Sequence, residues 1–230
     1  MLQLIILLEF ILAGYIFAEK PHLDKCTKLI PKEVLFELET PNQRFSDHTI
    51  NYFINLVRAI TNFDMKDVIY YYFPELYTKC DKDDVQILYG GDIGINATGH
   101  FLCVFYKAEN QTVYVYDSLY QKELHERQME IINNRYPMRK YITFVEPKTK
   151  QIDNTSCGAF AIAYATTLIF GEDPYEYEMD FNGTNYSLNL RKHIRKMFEC
   201  YELKHFPRNM KQTQTYTNMH FQRETDRGDL

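Results

Sequence analysis

The chain has 230 residues, of which 45% are hydrophobic and 25% charged, the balance of one large globular domain, or one domain with a tail, around a full core. A formal net charge of −5 with no basic block excludes broad attraction to a phosphate backbone, and with it a nucleic-acid partner. Five scattered cysteines (Cys26, Cys80, Cys103, Cys157, Cys200) include no CxxC pair, which argues against a zinc site and places the chain nearer a reducing-compartment enzyme than a disulfide scaffold.

The N-terminus points the other way. Residues 1–18 are strongly apolar, and Ile16-Phe17-Ala18 offers a signal-peptidase cut after Ala18. The expectation is a signal peptide and a secreted protein. Against it, Glu9 interrupts the run and no Lys or Arg precedes it. Eighteen residues are marginal for a membrane span, so no stable membrane association is expected. Sequons at Asn96, Asn110, Asn154, Asn182 and Asn185 add weak support for secretion.

Residues 19–43 are polar, punctuated by Pro21, Pro31 and Pro41, and read as an irregular lead-in. From Ser46 the apolar positions Ile50, Phe53, Ile54, Val57 and Ile60 follow helical spacing, with Ser46 or Asp47 as cap. Pro74 limits a second apolar-aromatic segment, DVIYYYF at 67–73. The glycine-rich GGDIGINATG at 90–99 lacks the spacing of a phosphate-binding loop. A strand is expected to end before His100, followed by an antiparallel hairpin from HFLCVFY (100–106) and TVYVYDS (112–118).

Residues 121–135 favour helix up to Pro137, and YITFVEP (141–147) reads as a strand stopped by its proline. GAFAIAYATTLIF at 158–170 is apolar all round, so it is a central core helix, too short to span a bilayer, with Gly171 as its C-terminal cap. A last helix covers about 187–200, and 208–230 is polar and expected to be disordered.

Cys157 opens the buried helix, where unpaired N–H groups and the helix dipole stabilise a thiolate. Taken alone, a cysteine on an apolar helix is more often an inert core thiol. Ser156 before it suits an N-cap, and Gly158 after it would let a substrate carbonyl approach the backbone. His100 opens a strand after a flexible loop, and Asp117 ends the partner strand, so a short hairpin connection brings both to one end of the sheet. A carboxylate there can orient the imidazole in a nucleophile–base–orienter triad. Gln151, six residues before Cys157, has enough chain to turn its amide toward an oxyanion. Each residue is weak alone; their order is much stronger.

In that order the chain resembles the ubiquitin-like-protein proteases, the SUMO-specific or sentrin-specific cysteine proteases. The matching motifs are GHFLCVFY, YVYDSLY and QIDNTSCGAF, with His100 and Asp117 seventeen residues apart. RFSDHTINYFINLV (44–57) is similar to the family's opening helix, and LRKHIRKMFECYELKHFP (190–207) to its closing one. The resemblance covers 44–207, the expected catalytic domain. It implies a papain-like α+β fold, a central mixed or antiparallel sheet with a buried helix carrying the nucleophile. It also implies cleavage after a Gly-Gly C-terminus, SUMO-like proteins or their conjugates as partners, and no cofactor or metal.

The family's catalytic residues map onto His100, Asp117, Cys157 and the oxyanion donor Gln151. Substrate-side positions are Phe101, Arg44, Ser156 and Gly158. Three depart from the family pattern: Phe101 stands for the tryptophan after the histidine, Arg44 for the tryptophan that clamps the substrate glycines, and Ser156 for the aspartate before the cysteine. Members of the family usually act in cytoplasm or nucleus, in conflict with the apolar N-terminus. The Arg44 departure leaves open a catalytically weak binding module, the apolar N-terminus a secreted effector of the same fold, and an acyltransferase with a similar triad is a further alternative.

Overall fold

The computed structural model describes residues 28–68, 73–91, 99–180 and 186–209. All of 1–27, the middle of the 67–73 segment, most of the glycine-rich loop and the tail from 210 lie outside them, as do the sequons at Asn96, Asn182 and Asn185. The described elements are α1 (Lys32–Glu39), α2 (Asp47–Ile60), a 3-10 turn at Pro74–Leu76, β1 (Asp84–Gly90), β2 (His100–Lys107), β3 (Thr112–Tyr116), α3 (Glu126–Arg135), β4 (Tyr141–Val145), α4 (Cys157–Ile169) and α5 (Tyr186–Cys200).

The four strands form one sheet in the order β1-β2-β3-β4, with β1/β2 and β2/β3 antiparallel and β3/β4 parallel. The expected hairpin is present, Cys103 facing Tyr116 and Lys107 facing Thr112. Both faces of β1 to β3 are buried, which is why they read as nearly continuous apolar runs, while β4 forms a more exposed edge. Phe101 and Cys103 of β2, with Val85 and Ile87 of β1, enter the larger core with α4, α2 and α5. Leu102, Val104 and Tyr106, with Val113 and Val115 of β3, face Ile131, Ile132 and Tyr136 at α3. The period-two alternation of β structure assigns each residue to one face or the other.

A buried ion pair fastens α3 to β1. Arg135 donates from Nε to Asp84 Oδ2 at 2.8 Å and from NH2 to Oδ1 at 3.0 Å. Tyr136 adds its hydroxyl to the same carboxylate at 2.8 Å. Arg135 NH1 donates to the Thr78 carbonyl at 3.0 Å, so the guanidinium fork is paired on more than one side.

The lead-in expected to be irregular contains α1. Its apolar Val34 and Leu38 sit one helical turn apart and are buried in the larger core. Two turns are too short for periodicity to stand out in sequence, and docking supplies the stability. Glu37 of α1, itself buried, accepts from Ser46 N at 2.8 Å and from Thr49 Oγ1 at 2.6 Å. α1 thereby sets where α2 begins.

The buried helix α4 is present with the expected ending. Gly171 has φ of +79°, Gly171 N donates to Leu168 O at 2.9 Å and Glu172 N to Thr167 O at 3.1 Å, the paired bonds of a Schellman motif. The final helix also forms, and Arg208, at the start of the expected tail, bridges to Met179. Cys200, the last residue of α5, is disulfide-bonded, while Cys80, Cys103 and Cys157 are free thiols. The spacing of the cysteines did not reveal that crosslink, because pairing depends on which distant segments the fold brings together.

Candidate active site

The site lies where β2 starts, β3 ends and α4 begins. His100 is the first residue of β2, paired in the ladder with Gly90. Asp117 directly follows β3. The hairpin therefore returns the chain from His100 to the same sheet end at Asp117, and His100 Nε2 lies 2.5 Å from Asp117 Oδ1. That contact leaves the other ring nitrogen, Nδ1, for Cys157, whose side chain is hydrogen-bonded to the His100 ring. Cys157 is the first residue of α4 and is buried.

The electrostatics favour a charge-separated pair. Burial pushes the Cys157 thiol up, but the His100 hydrogen bond, the Phe101 backbone N–H and the nearby charges of His100 and Arg44 outweigh it and hold it below the ordinary thiol value. For His100, burial opposes the charged form, but hydrogen bonds to Asp117 and Cys157 and their negative charges raise it to about 9. Asp117 is also buried, which would raise its carboxyl. The His100 bond, the N–H groups of Gln121 and Leu119 (each at 2.9 Å) and the imidazole charge hold it below the usual carboxylate value instead. The ordering is that of a thiolate–imidazolium pair backed by a carboxylate.

Gln151 is brought to the same place. Its backbone N–H donates to Ser118 O at 3.0 Å, and Ser118 Oγ donates to Gln151 Oε1 at 2.8 Å, which anchors it beside Asp117. Gln151 Nε2 donates to the Asp153 carbonyl at 2.6 Å, so its amide is oriented from both ends. An amide N–H₂ carries two protons, and one can serve a substrate oxygen while the other keeps this bond.

Arg44 stands at the rim. It is exposed, its NH1 donates to Gly99 O at 3.0 Å, and its charge reaches Cys157. Its backbone is held by the next residue, Phe45, which packs under α4. Arg191, fully buried on α5, stacks its guanidinium on Phe45 at 4.6 Å, donates to Glu37 O at 2.7 Å and also bonds the Gln43 carbonyl.

Three substrate-side expectations change. A Cβ on Gly158 would lie 2.9 Å from Phe45 Cβ and 3.4 Å from Ile50 Cδ1. The glycine therefore admits Phe45 to the core; it does not open the backbone to a substrate. Ser156 makes no side-chain capping bond to α4 and is fully buried. Its hydroxyl donates to Asp153 Oδ2 at 2.8 Å and meets Ser187 Oγ at 2.6 Å, so it ties the loop to Asp153 and α5 and does not cap α4. Phe101 is buried against Tyr89, ring centroids 5.1 Å apart, and reaches the nucleophile through its backbone N–H.

Sequence reasoning missed Asp153, Tyr186, Phe45 and Arg191. Asp-Asn-Thr-Ser at 153–156 carries a turn signal that could have marked Asp153; the other three act from distant segments with no local signal.

No protein-family model and no curated protein matches the chain. Solved structures do. The C-terminal Ulp1 protease domain, in complex with Smt3, the yeast ortholog of SUMO, is 15% identical over 74% of this chain and 82% of that one, with a TM-score of 0.52. The SUMO protease Ulp1 with its catalytic cysteine oxidised to a sulfenic acid is 13% identical over 79% and 90% of the two chains, also at 0.52. This chain therefore has an α+β, papain-like cysteine-protease fold. In particular, it has the fold of the Ulp1 protease domain.

Proposed function

We propose that this chain is a cysteine peptidase that cleaves after the C-terminal Gly-Gly of a SUMO-like protein, acting in maturation or in release from conjugates. The observation that carries the proposal is the continuous Asp117–His100–Cys157 line with its inverted thiol and imidazole preferences. The likeness to SUMO proteases supports the substrate class.

The Cys157 thiolate attacks the carbonyl carbon after the second glycine, and negative charge moves onto the carbonyl oxygen, toward Gln151. His100, protonated, gives its proton to the departing amine as the C–N bond breaks. Water, deprotonated by His100, then cleaves the thioester and returns the thiol. No step calls for a cofactor.

A panel of ubiquitin-like proteins ending in a Gly-Gly electrophile tests this. One member of the panel should form an adduct with Cys157 that Cys157→Ala abolishes; no adduct from any member refutes the peptidase.

Arg44 favours a second reading, a module that binds such proteins without turnover, since a cation at the rim replaces an aromatic clamp. Tight binding, unchanged in Cys157→Ala and without hydrolysis by the wild type, would select it. Secretion is part of the proposal, supported by the apolar N-terminus and the disulfide at Cys200. An N-terminal sequence beginning at Met1 in mature protein would return it to cytoplasm or nucleus.

A further inference from the structure

We infer that Asp153 is the positioning residue of the oxyanion side, holding Gln151 and the start of α4 in fixed relation through a clamp supplied by α5. The inference rests on the peptidase reading.

The Asp153 carboxylate is the hub of the 151–156 loop. Oδ1 accepts from Thr155 N at 2.8 Å, Ser156 N at 2.8 Å and Thr155 Oγ1 at 3.3 Å. Oδ2 accepts from Ser156 Oγ at 2.8 Å and from Tyr186 OH at 3.2 Å. The backbone carbonyl of the same residue accepts from Gln151 Nε2 at 2.6 Å. One residue therefore orients the side-chain amide on one side and shapes the turn into Cys157 on the other.

The first turn of α5 closes the clamp. Tyr186 OH donates to Asp153 and accepts from Ile152 N at 3.1 Å, and Ser187 Oγ meets Ser156 Oγ at 2.6 Å. The two faces of the carboxylate thus have separate duties: Oδ1 folds the turn, and Oδ2 ties it to α5. The Cys157 N–H, first in its helix, has no intrahelical acceptor. A loop held this way sets it and the Gln151 amide at a constant separation, as preorganised oxyanion donors require. His100 and Asp117 take no part in these bonds, so the clamp acts on turnover and leaves thiol ionisation alone.

The test compares Asp153→Ala, Asp153→Asn and Tyr186→Phe with wild type, using a SUMO-like protein bearing a C-terminal Gly-Gly fluorogenic amide, and in parallel the rate at which iodoacetamide alkylates Cys157. Asp153→Ala should lower kcat about 10- to 100-fold with little change in KM and an unchanged alkylation rate. Asparagine keeps an acceptor toward Thr155 and Ser156 and should recover most of kcat, and Tyr186→Phe should show a smaller kcat loss of the same kind. Unchanged kcat in Asp153→Ala overturns the inference, as does a parallel fall in alkylation, which would mark a general collapse. Should Asp153→Ala fail to fold, Tyr186→Phe decides: its kcat must fall at constant alkylation, or the inference is wrong. If wild type is alkylated by iodoacetamide but neither cleaves the fluorogenic amide nor forms an adduct with any member of the Gly-Gly electrophile panel, the peptidase reading itself fails, and the inference with it.

Discussion

His100 Nε2 and Asp117 Oδ1 lie 2.5 Å apart although seventeen residues separate them, and this contact, with Cys157 on the other side of the ring, holds the imidazole protonated up to about pH 9. The kcat/KM profile should therefore be bell-shaped, with its alkaline limb near 9 in place of the ordinary histidine value of 6.5. Asp117→Asn removes the first of the interactions that raise His100. Its alkaline limb should move down toward 6.5, and kcat/KM should fall by roughly 10²- to 10⁴-fold. A limb that stays near 9 in Asp117→Asn would show that the carboxylate does not set the imidazole.

The same pair links stability to pH. His100 is raised on folding, so its contribution is complete below about 6.5 and is lost as the pH rises through about 9. Asp117 is lowered, so its contribution is present above the ordinary value of 3.8 and lost as the pH falls below it. Cys157 is lowered by the same pairing, so its contribution grows as the pH rises toward the ordinary thiol value of 9.0 and offsets the loss from His100. Urea midpoints should therefore fall at the acid end and change little between about 6.5 and 9, and Asp117→Asn should flatten the acid limb.

Arg44→Gln tests the cation at the rim. Its charge helps lower the Cys157 thiol, so the pH midpoint for alkylation by iodoacetamide should rise in the variant. Arg44 is exposed, so the difference from wild type should shrink as salt rises. A salt-independent difference would point to a packing change instead.

Gly158→Ala would set a methyl 2.9 Å from Phe45 Cβ. Overpacking of this kind costs about 1–3 kcal/mol, against a gain of at most about 1 kcal/mol in helix propensity. The expected result is a lower thermal midpoint with reduced turnover, since Phe45 adjoins Arg44. An unchanged midpoint would mean that Phe45 can yield.

Arg135→Ala strands the Asp84 carboxylate in the core on the face of the sheet away from Cys157. Breaking a buried pair from one side costs about 3–5 kcal/mol. Chemical denaturation should show a loss of that size, and replacing Asp84 and Arg135 together with apolar residues of similar volume should recover much of it.

What could be read from the chain was whatever repeats locally. The spacing of Ile50, Phe53, Ile54 and Val57 marks α2, the two β-branched and aromatic runs mark the hairpin, and the unbroken apolar stretch marks α4, each in the place the structure gives it. His100, Asp117, Cys157 and Gln151 were legible because their order matched a known pattern, and the fold gathers them at one sheet end. α1 escaped notice because two turns carry too little periodicity. Only the tertiary structure decided what Gly158 and Ser156 do, that Asp153 and Tyr186 hold the nucleophile's loop, and that Cys200 is crosslinked. Helical and strand periods act between residues a few positions apart, so sequence displays them. Phe45 against Gly158, Tyr186 against Asp153 and Arg191 against Gln43 join segments 33 to 148 residues apart, and no local pattern encodes contacts that exist only after the core has closed.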